Sequence, residues 1–132
     1  TMADFRAMKK LLRYLQGTRA ASLELIGELG AHDEITAYAD ADWASNSCDR
    51  RSASRGVVLV GGALVQSWSR TQPSVALSTC EAELLAMGMA ASEAKFIQSI
   101  LRELRPGEQH NIVLYTDASS AKQVAYRRGL GR

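Results

Sequence analysis

Two carboxylates spaced two residues apart in an otherwise strand-like stretch constrain this chain more than any other feature. Residues 38–43 read Tyr-Ala-Asp-Ala-Asp-Trp. Strand alternation sends Thr36, Tyr38, Asp40 and Asp42 to one side, and Ile35, Ala37, Ala39, Ala41 and Trp43 to the other. Asp is depleted in strands because it desolvates badly there, so a pair on one face calls for compensation, which a divalent cation supplies. The alternative reading ends the strand at Tyr38 and makes Asp40-Ala-Asp42 the start of a polar loop.

The totals narrow the context. A chain of 132 residues with 46% hydrophobic content suits one compact domain, without a second core. Sixteen Lys and Arg against fourteen Asp and Glu leave a net charge of +2, so any case for nucleic-acid binding rests on where the charges lie. Cys48 and Cys80 stand in unrelated contexts and no amino-terminal signal segment is legible, which points to a reducing intracellular compartment. No apolar run approaches bilayer length, so a soluble protein without a membrane partner is expected. With His32 and His110 the only histidines, a zinc site would need ligands from four scattered places, which argues against it.

Residues 4–16 place Phe5, Met8, Leu11, Leu12 and Leu15 at helical spacing, with Arg6, Lys9, Lys10 and Arg13 mostly opposite; Gly17 ends this amphipathic helix, and its basic face reads as solvated. A short strand is expected at 22–26 and a polar connector at 30–34. The organising strand follows from Ile35, then a small, polar loop over 44–55 carrying Asp49-Arg50-Arg51-Ser52. Strands at 56–60 and 63–69, joined by Gly61-Gly62, make a hairpin. A long helix begins near Ser78, where Ser78-Thr79-Cys80-Glu81 fits a capping box. Ala82, Leu85, Ala86, Met89 and Ala90 form one apolar stripe and Phe96, Ile97, Ile100, Leu101 and Leu104 another, up to the stop at Arg105-Pro106-Gly107. Whether 88–92 kinks this helix is left open by the pattern. A strand at 111–116 ends at Asp117, and Ser119 or Ser120 can cap a last helix through Tyr126. Strand, helix and strand make a crossover, so the last strand is parallel to a front one. The fold class is α/β: a mixed sheet of three antiparallel strands and a parallel one, with helices packed on it and a helical segment in front.

If the strands holding Asp40 and Asp117 are neighbours, these two acids and a helix acid converge at one sheet end. Hard oxygen ligands suit Mg²⁺, with Mn²⁺ as substitute, and two such ions about 4 Å apart can clamp a phosphodiester for attack by water. Glu81 and Glu83 both border the apolar stripe, so the helical wheel alone does not choose between them. The cap does: Glu81 is occupied there, which leaves Glu83 for the sheet. Asp42 is an adjunct, whether a supporting acid, a ligand through water or simply exposed.

The motifs Tyr38-Ala-Asp-Ala-Asp-Trp43, Asp49-Arg-Arg-Ser52, Gly61-Gly62, Ser67-Trp68-Ser69, Gln72, residues 75–79 (Val-Ala-Leu-Ser-Thr), Glu81-Ala-Glu83 and residues 115–121 (Tyr-Thr-Asp-Ala-Ser-Ser-Ala) resemble, in order, the ribonuclease H domain of copia-type (Pseudoviridae) LTR retrotransposon Pol polyproteins. Residues 7–18 are similar to the helix that leads from reverse transcriptase into that domain, which divides the chain into a segment 1–34 and a ribonuclease H-like domain 35–132. The resemblance implies Mg²⁺-dependent hydrolysis of the RNA strand of RNA–DNA hybrids, with Asp40, Glu83 and Asp117 as catalytic metal ligands. It also implies a reverse transcriptase domain of the same polyprotein as partner, and a cytoplasmic particle, or the nucleus, as location.

Two departures stand out. Leu84 replaces the Tyr usual after the helix Glu, and the fourth carboxylate or His of such sites has no counterpart, because no Asp, Glu or His follows Asp117. Either the carboxyl-terminal segment that carries it is missing from this sequence, or the domain is incomplete and binds its second metal weakly. Hybrid recognition rests on shape and 2′-hydroxyls. Ser and Asn side chains of the 44–54 loop and Gln72 are candidates for the sugars; Arg50, Arg51, Arg55, Arg70, Lys122, Arg127 and Arg128 are candidates for the phosphates, and Ser119 is a further candidate for substrate contact. Trp43 and Trp68 read as packing residues rather than base-stacking ones. Two other readings compete: a catalytically silent domain that serves as a structural connector and hybrid-binding module, and a nuclease of the same fold that cuts DNA.

Overall fold

The computed structural model describes residues 1–22 and 34–127. The strand expected at 22–26, save Ser22, most of the 30–34 connector and Arg128 lie outside them. The elements run α1 (Met2–Gly17), β1 (Ile35–Asp42), β2 (Ala53–Val60), β3 (Ala63–Thr71), α2 (Thr79–Leu104), β4 (Ile112–Tyr115) and α3 (Ser119–Tyr126). One sheet, ordered β3-β2-β1-β4, has β1 antiparallel to β2, β2 antiparallel to β3 and β4 parallel to β1. This is the α/β architecture expected from the sequence, a mixed sheet consistent with a ribonuclease H-like fold.

Local chemistry accounts for the joints. Gly61 and Gly62 both take positive φ, as a two-residue hairpin turn of this hand requires, and the pair Val60–Ala63 closes on it. A register shift follows, with Val58 opposite Gln66 and Leu59 opposite Leu64, so Val65 is the extra residue of a bulge. At α2 the Ser78 side chain accepts from the Glu81 amide. The Glu81 carboxylate reaches back one residue further than a capping box requires, to the amide of Leu77 at 2.7 Å.

The helix face of the sheet carries the core: Ile35, Ala37 and Ala39 of β1, and Val58 and Val60 of β2, against α2. The buried seam of α2 is Ala82, Ala86, Met87, Ala90, Ala94 and Leu101, and the helix is a single 26-residue segment through Gly88. This corrects the two expected stripes: Leu85, Phe96, Ile100 and Leu104 are exposed. Alanines repeating every four residues let the helix backbone lie close on the sheet, which turns the larger side chains at the borders outward.

Tertiary contacts also settle the tryptophans. The six-membered part of the Trp68 ring lies over Gly56, where a Cβ would come within 2.3 Å of it and within 2.7 Å of the Tyr38 carbonyl oxygen. Trp68 thereby packs against the core. Trp43, expected to pack, is instead exposed just past β1, with its indole N–H donated to the Ala76 carbonyl at 3.1 Å. α1 has no buried residue and packs on no other described element, so both its apolar and its basic faces are open. No described helix is long and apolar enough to cross a membrane.

Candidate metal centre

The parallel pairing of β1 with β4 sets the geometry. Tyr38 lies opposite Tyr115, and each is followed two residues later by an aspartate, Asp40 and Asp117. Equal offsets from one rung bring the two carboxylates to the same end of the sheet. β1 runs on to Asp42 because β2 continues to pair with it there, opposite Ala53, so Asp40 and Asp42 are strand residues and the polar-loop alternative is set aside. α2 packs on β1 and carries Glu83 to the same place. Oxygens of Asp40, Glu83 and Asp117 all lie within 4.8 Å of one another.

Glu83 is the strained member. Its carboxyl is held above the ordinary glutamate range, first by desolvation and then by the charge of Asp40; the Ala41 backbone N–H pulls the other way, and Asp117 adds a further upward push. Its Oε2 is buried and has no hydrogen-bond partner. Three hard oxygen donors, one of them buried and unserved by any protein donor, fit a metal ion. Glu81, spent on the amide of Leu77, is not among them.

The other expected site residues divide into three groups. Arg55 is at the cluster: it is the cross-strand partner of Asp40, its Nη2 lies 2.9 Å from Asp42 Oδ2, and its Nη1 lies 3.9 Å from Asp40 Oδ2. Asp42 is therefore a half-exposed acid held by an arginine. Arg50, Arg51, Ser119 and Lys122 are exposed elsewhere; Arg50 stands at positive φ in the 43–52 loop and Arg51 pairs with Asp49 at 3.6 Å.

The remaining ones are spent on the framework. Gln72 is 1% exposed and donates to Ser54 Oγ and the Ala82 carbonyl, both at 2.9 Å. Ser52 and Ser54 are fully buried, with Ser52 Oγ accepting from the Ala44 amide. These three tie the β2–β3 end to the start of α2, so the expectation that they meet sugars is corrected: they have no surface to offer. Arg70 is held by Glu93 of α2 at 3.0 Å. Ser119 and Ser120 do not cap α3; its N-cap is Ala118, whose amide is served by Thr116 Oγ1.

One feature of the site went unread in the sequence. Tyr38 and Tyr115 stack with ring centroids 5.1 Å apart on the open face of the sheet, each about half exposed. With Asp40, Asp117, Arg55 and Val57 they line a groove of about 910 Å³. The repeated Tyr-x-Asp of residues 38–40 and 115–117 is the signal that pairs them.

Comparison with known proteins adds lineage. The chain is 38% identical over 93 residues to "Secreted RxLR effector protein 161" of Plasmopara viticola, covering 70% of this chain and 64% of that protein. It is 34% identical over 113 residues to the "Retrovirus-related Pol polyprotein from transposon RE2" of Arabidopsis thaliana, and 34% identical over 117 residues to that from transposon TNT 1-94 of Nicotiana tabacum. These cover 86% and 89% of this chain but only 8% of each polyprotein. No protein-family model matches the sequence, and no solved structure does. Over most of its length, the chain is thus related to a short segment of the retrovirus-related Pol polyproteins of plant transposons.

Proposed function

We propose that this chain is a metal-dependent endoribonuclease of the ribonuclease H class, which hydrolyses the RNA strand of RNA–DNA hybrids in the setting of retrotransposon reverse transcription. One observation carries the reading: carboxylates from β1, from just past the end of β4 and from α2 converge within 4.8 Å. Asp40, Glu83 and Asp117 would hold Mg²⁺ or Mn²⁺. Bound there, the ion supplies charge neutralisation for the phosphodiester and a water of lowered pKa. The protein's part is to hold the three acids together, with Glu83 partly desolvated so that its charged form lacks compensation until a cation supplies it. Arg50, Arg51, Ser119 and Lys122, all exposed, are left to meet the hybrid backbone.

The polyprotein relatives favour a reverse transcriptase domain as the covalent neighbour, with α1, open on both faces, leading from it. A cytoplasmic particle, or the nucleus, follows as the place of action. The second reading, a silent connector that grips the hybrid, draws on one observation: a similar stretch occurs in a protein whose name describes a secreted effector rather than a Pol polyprotein.

Labelled RNA–DNA, RNA–RNA and DNA–DNA duplexes, incubated in Mg²⁺ and in Mn²⁺, test the proposal. Cutting confined to the RNA strand of the hybrid supports it. Equal cutting of DNA–DNA moves the assignment to a DNA nuclease of the same fold. Hybrid binding without cutting moves it to the silent module.

A further inference from the structure

The three acids of the cluster crowd negative charge at one sheet end, and among the described residues Arg55 is the single cation paired with any of them. It stands directly across the β1–β2 ladder from Asp40, yet its close contact is with Asp42, at 2.9 Å against 3.9 Å to Asp40. A charge-assisted hydrogen bond has a length near the first value, and the second is a longer-range attraction. Asp42 therefore holds the guanidinium to one side of Asp40. All three side chains are about half exposed, so the contact can rearrange without unpacking the core.

We propose that Arg55 is a tethered counter-charge that sets how tightly the carboxylate cluster takes a divalent ion, and that Asp42 acts on the ion through Arg55 rather than as a ligand. In the ion-free protein the guanidinium offsets part of the repulsion among the acids. Toward an incoming ion it is a like charge a few ångströms away. Cut the tether, and Arg55 settles on Asp40 and competes with the ion directly. The inference rests on the carboxylate site proposed above.

Mn²⁺ binding, measured by isothermal titration calorimetry without nucleic acid, separates the possibilities. A unit charge a few ångströms from a divalent ion in water-like surroundings changes its affinity roughly tenfold. Arg55→Gln is expected to tighten Mn²⁺ binding by about that factor, while Arg55→Lys, which keeps the charge, stays near wild type. Asp42→Asn is expected to weaken binding roughly tenfold with Arg55 present, but only about threefold in the Arg55→Gln background, because most of its effect passes through the arginine.

Unchanged or weaker binding in Arg55→Gln overturns the inference. So does an Asp42→Asn loss of equal size in both backgrounds, which would make Asp42 a partner of the ion itself. In either case wild-type Mn²⁺ binding leaves the carboxylate reading standing. A wild type without measurable Mn²⁺ affinity removes both. Thermal unfolding of each variant with chelator present separates a change in fold stability from a change in ion affinity.

Discussion

Replacing Glu83 by Gln removes one charge from a cluster of three and keeps the side chain's shape. In the ion-free protein its carboxylate faces two others within 4.8 Å. Each such pair costs nearly 1 kcal/mol even at the dielectric of water, so removing two pairs stabilises the fold by about 1.5 kcal/mol at low salt. Relief of desolvation adds to this, since the charged form is the one burial penalises. For a domain of this size the melting temperature should rise by roughly 4–7 °C in chelator. With Mg²⁺ present the order should reverse, because the wild type gains about 2.7 kcal/mol at an ion concentration a hundred times Kd and the variant gains little. Differential scanning calorimetry with EDTA and with Mg²⁺ reads both halves. A variant less stable than wild type in EDTA would show that the Glu83 carboxylate supports the fold, and the view of it as a strained ligand would fail.

Three other perturbations follow from the same geometry. Gly56→Ala should destabilise the domain by about 1–3 kcal/mol in chemical denaturation, because the added methyl meets the Trp68 ring and the Tyr38 carbonyl oxygen; an unchanged midpoint would mean that the ring yields freely. Glu81→Ala should cost about 1 kcal/mol through loss of the contact with the Leu77 amide and leave hybrid cleavage intact, and loss of cleavage at full stability would make Glu81 the helix ligand instead. Glu83's folded-state pKa is raised, so its contribution to stability is fully present below the ordinary glutamate value and is lost as pH rises through the folded value. Melting temperature against pH in EDTA should therefore fall more across that window for wild type than for Glu83→Gln, and Mn²⁺ binding should weaken as pH drops through it; parallel curves would contradict both.

How much was legible in the sequence depends on how local the cause is. The Gly61-Gly62 turn, the Ser78 cap and the alternation of β1 are short-range patterns, and each appears where the residues dictate. The choice of Glu83 over Glu81 rested on a single hydrogen bond, and Glu81 makes it, though to Leu77 rather than to the cap residue. Polar side chains were harder to place. Gln72, Ser52 and Ser54 have a surface composition, yet they lock the β2–β3 end to α2, and only tertiary contacts decide whether an amide meets solvent or a carbonyl. The α2 seam was misplaced for a similar reason: large residues dominate a pattern, but a helix pressed close to a sheet buries its alanines. The Arg55–Asp42 contact depends on the β1–β2 register, which no local signal fixes.

The central claim is that three converging carboxylates make this chain a metal-dependent ribonuclease. Its most direct test is the rate of RNA-strand cleavage in one labelled hybrid, for wild type and Asp40→Asn purified identically, over a Mg²⁺ titration. The wild-type rate should rise with Mg²⁺ and saturate, while Asp40→Asn stays flat and lower by orders of magnitude at every concentration. Equal rates in the two proteins would place the cleavage outside this cluster and contradict the account.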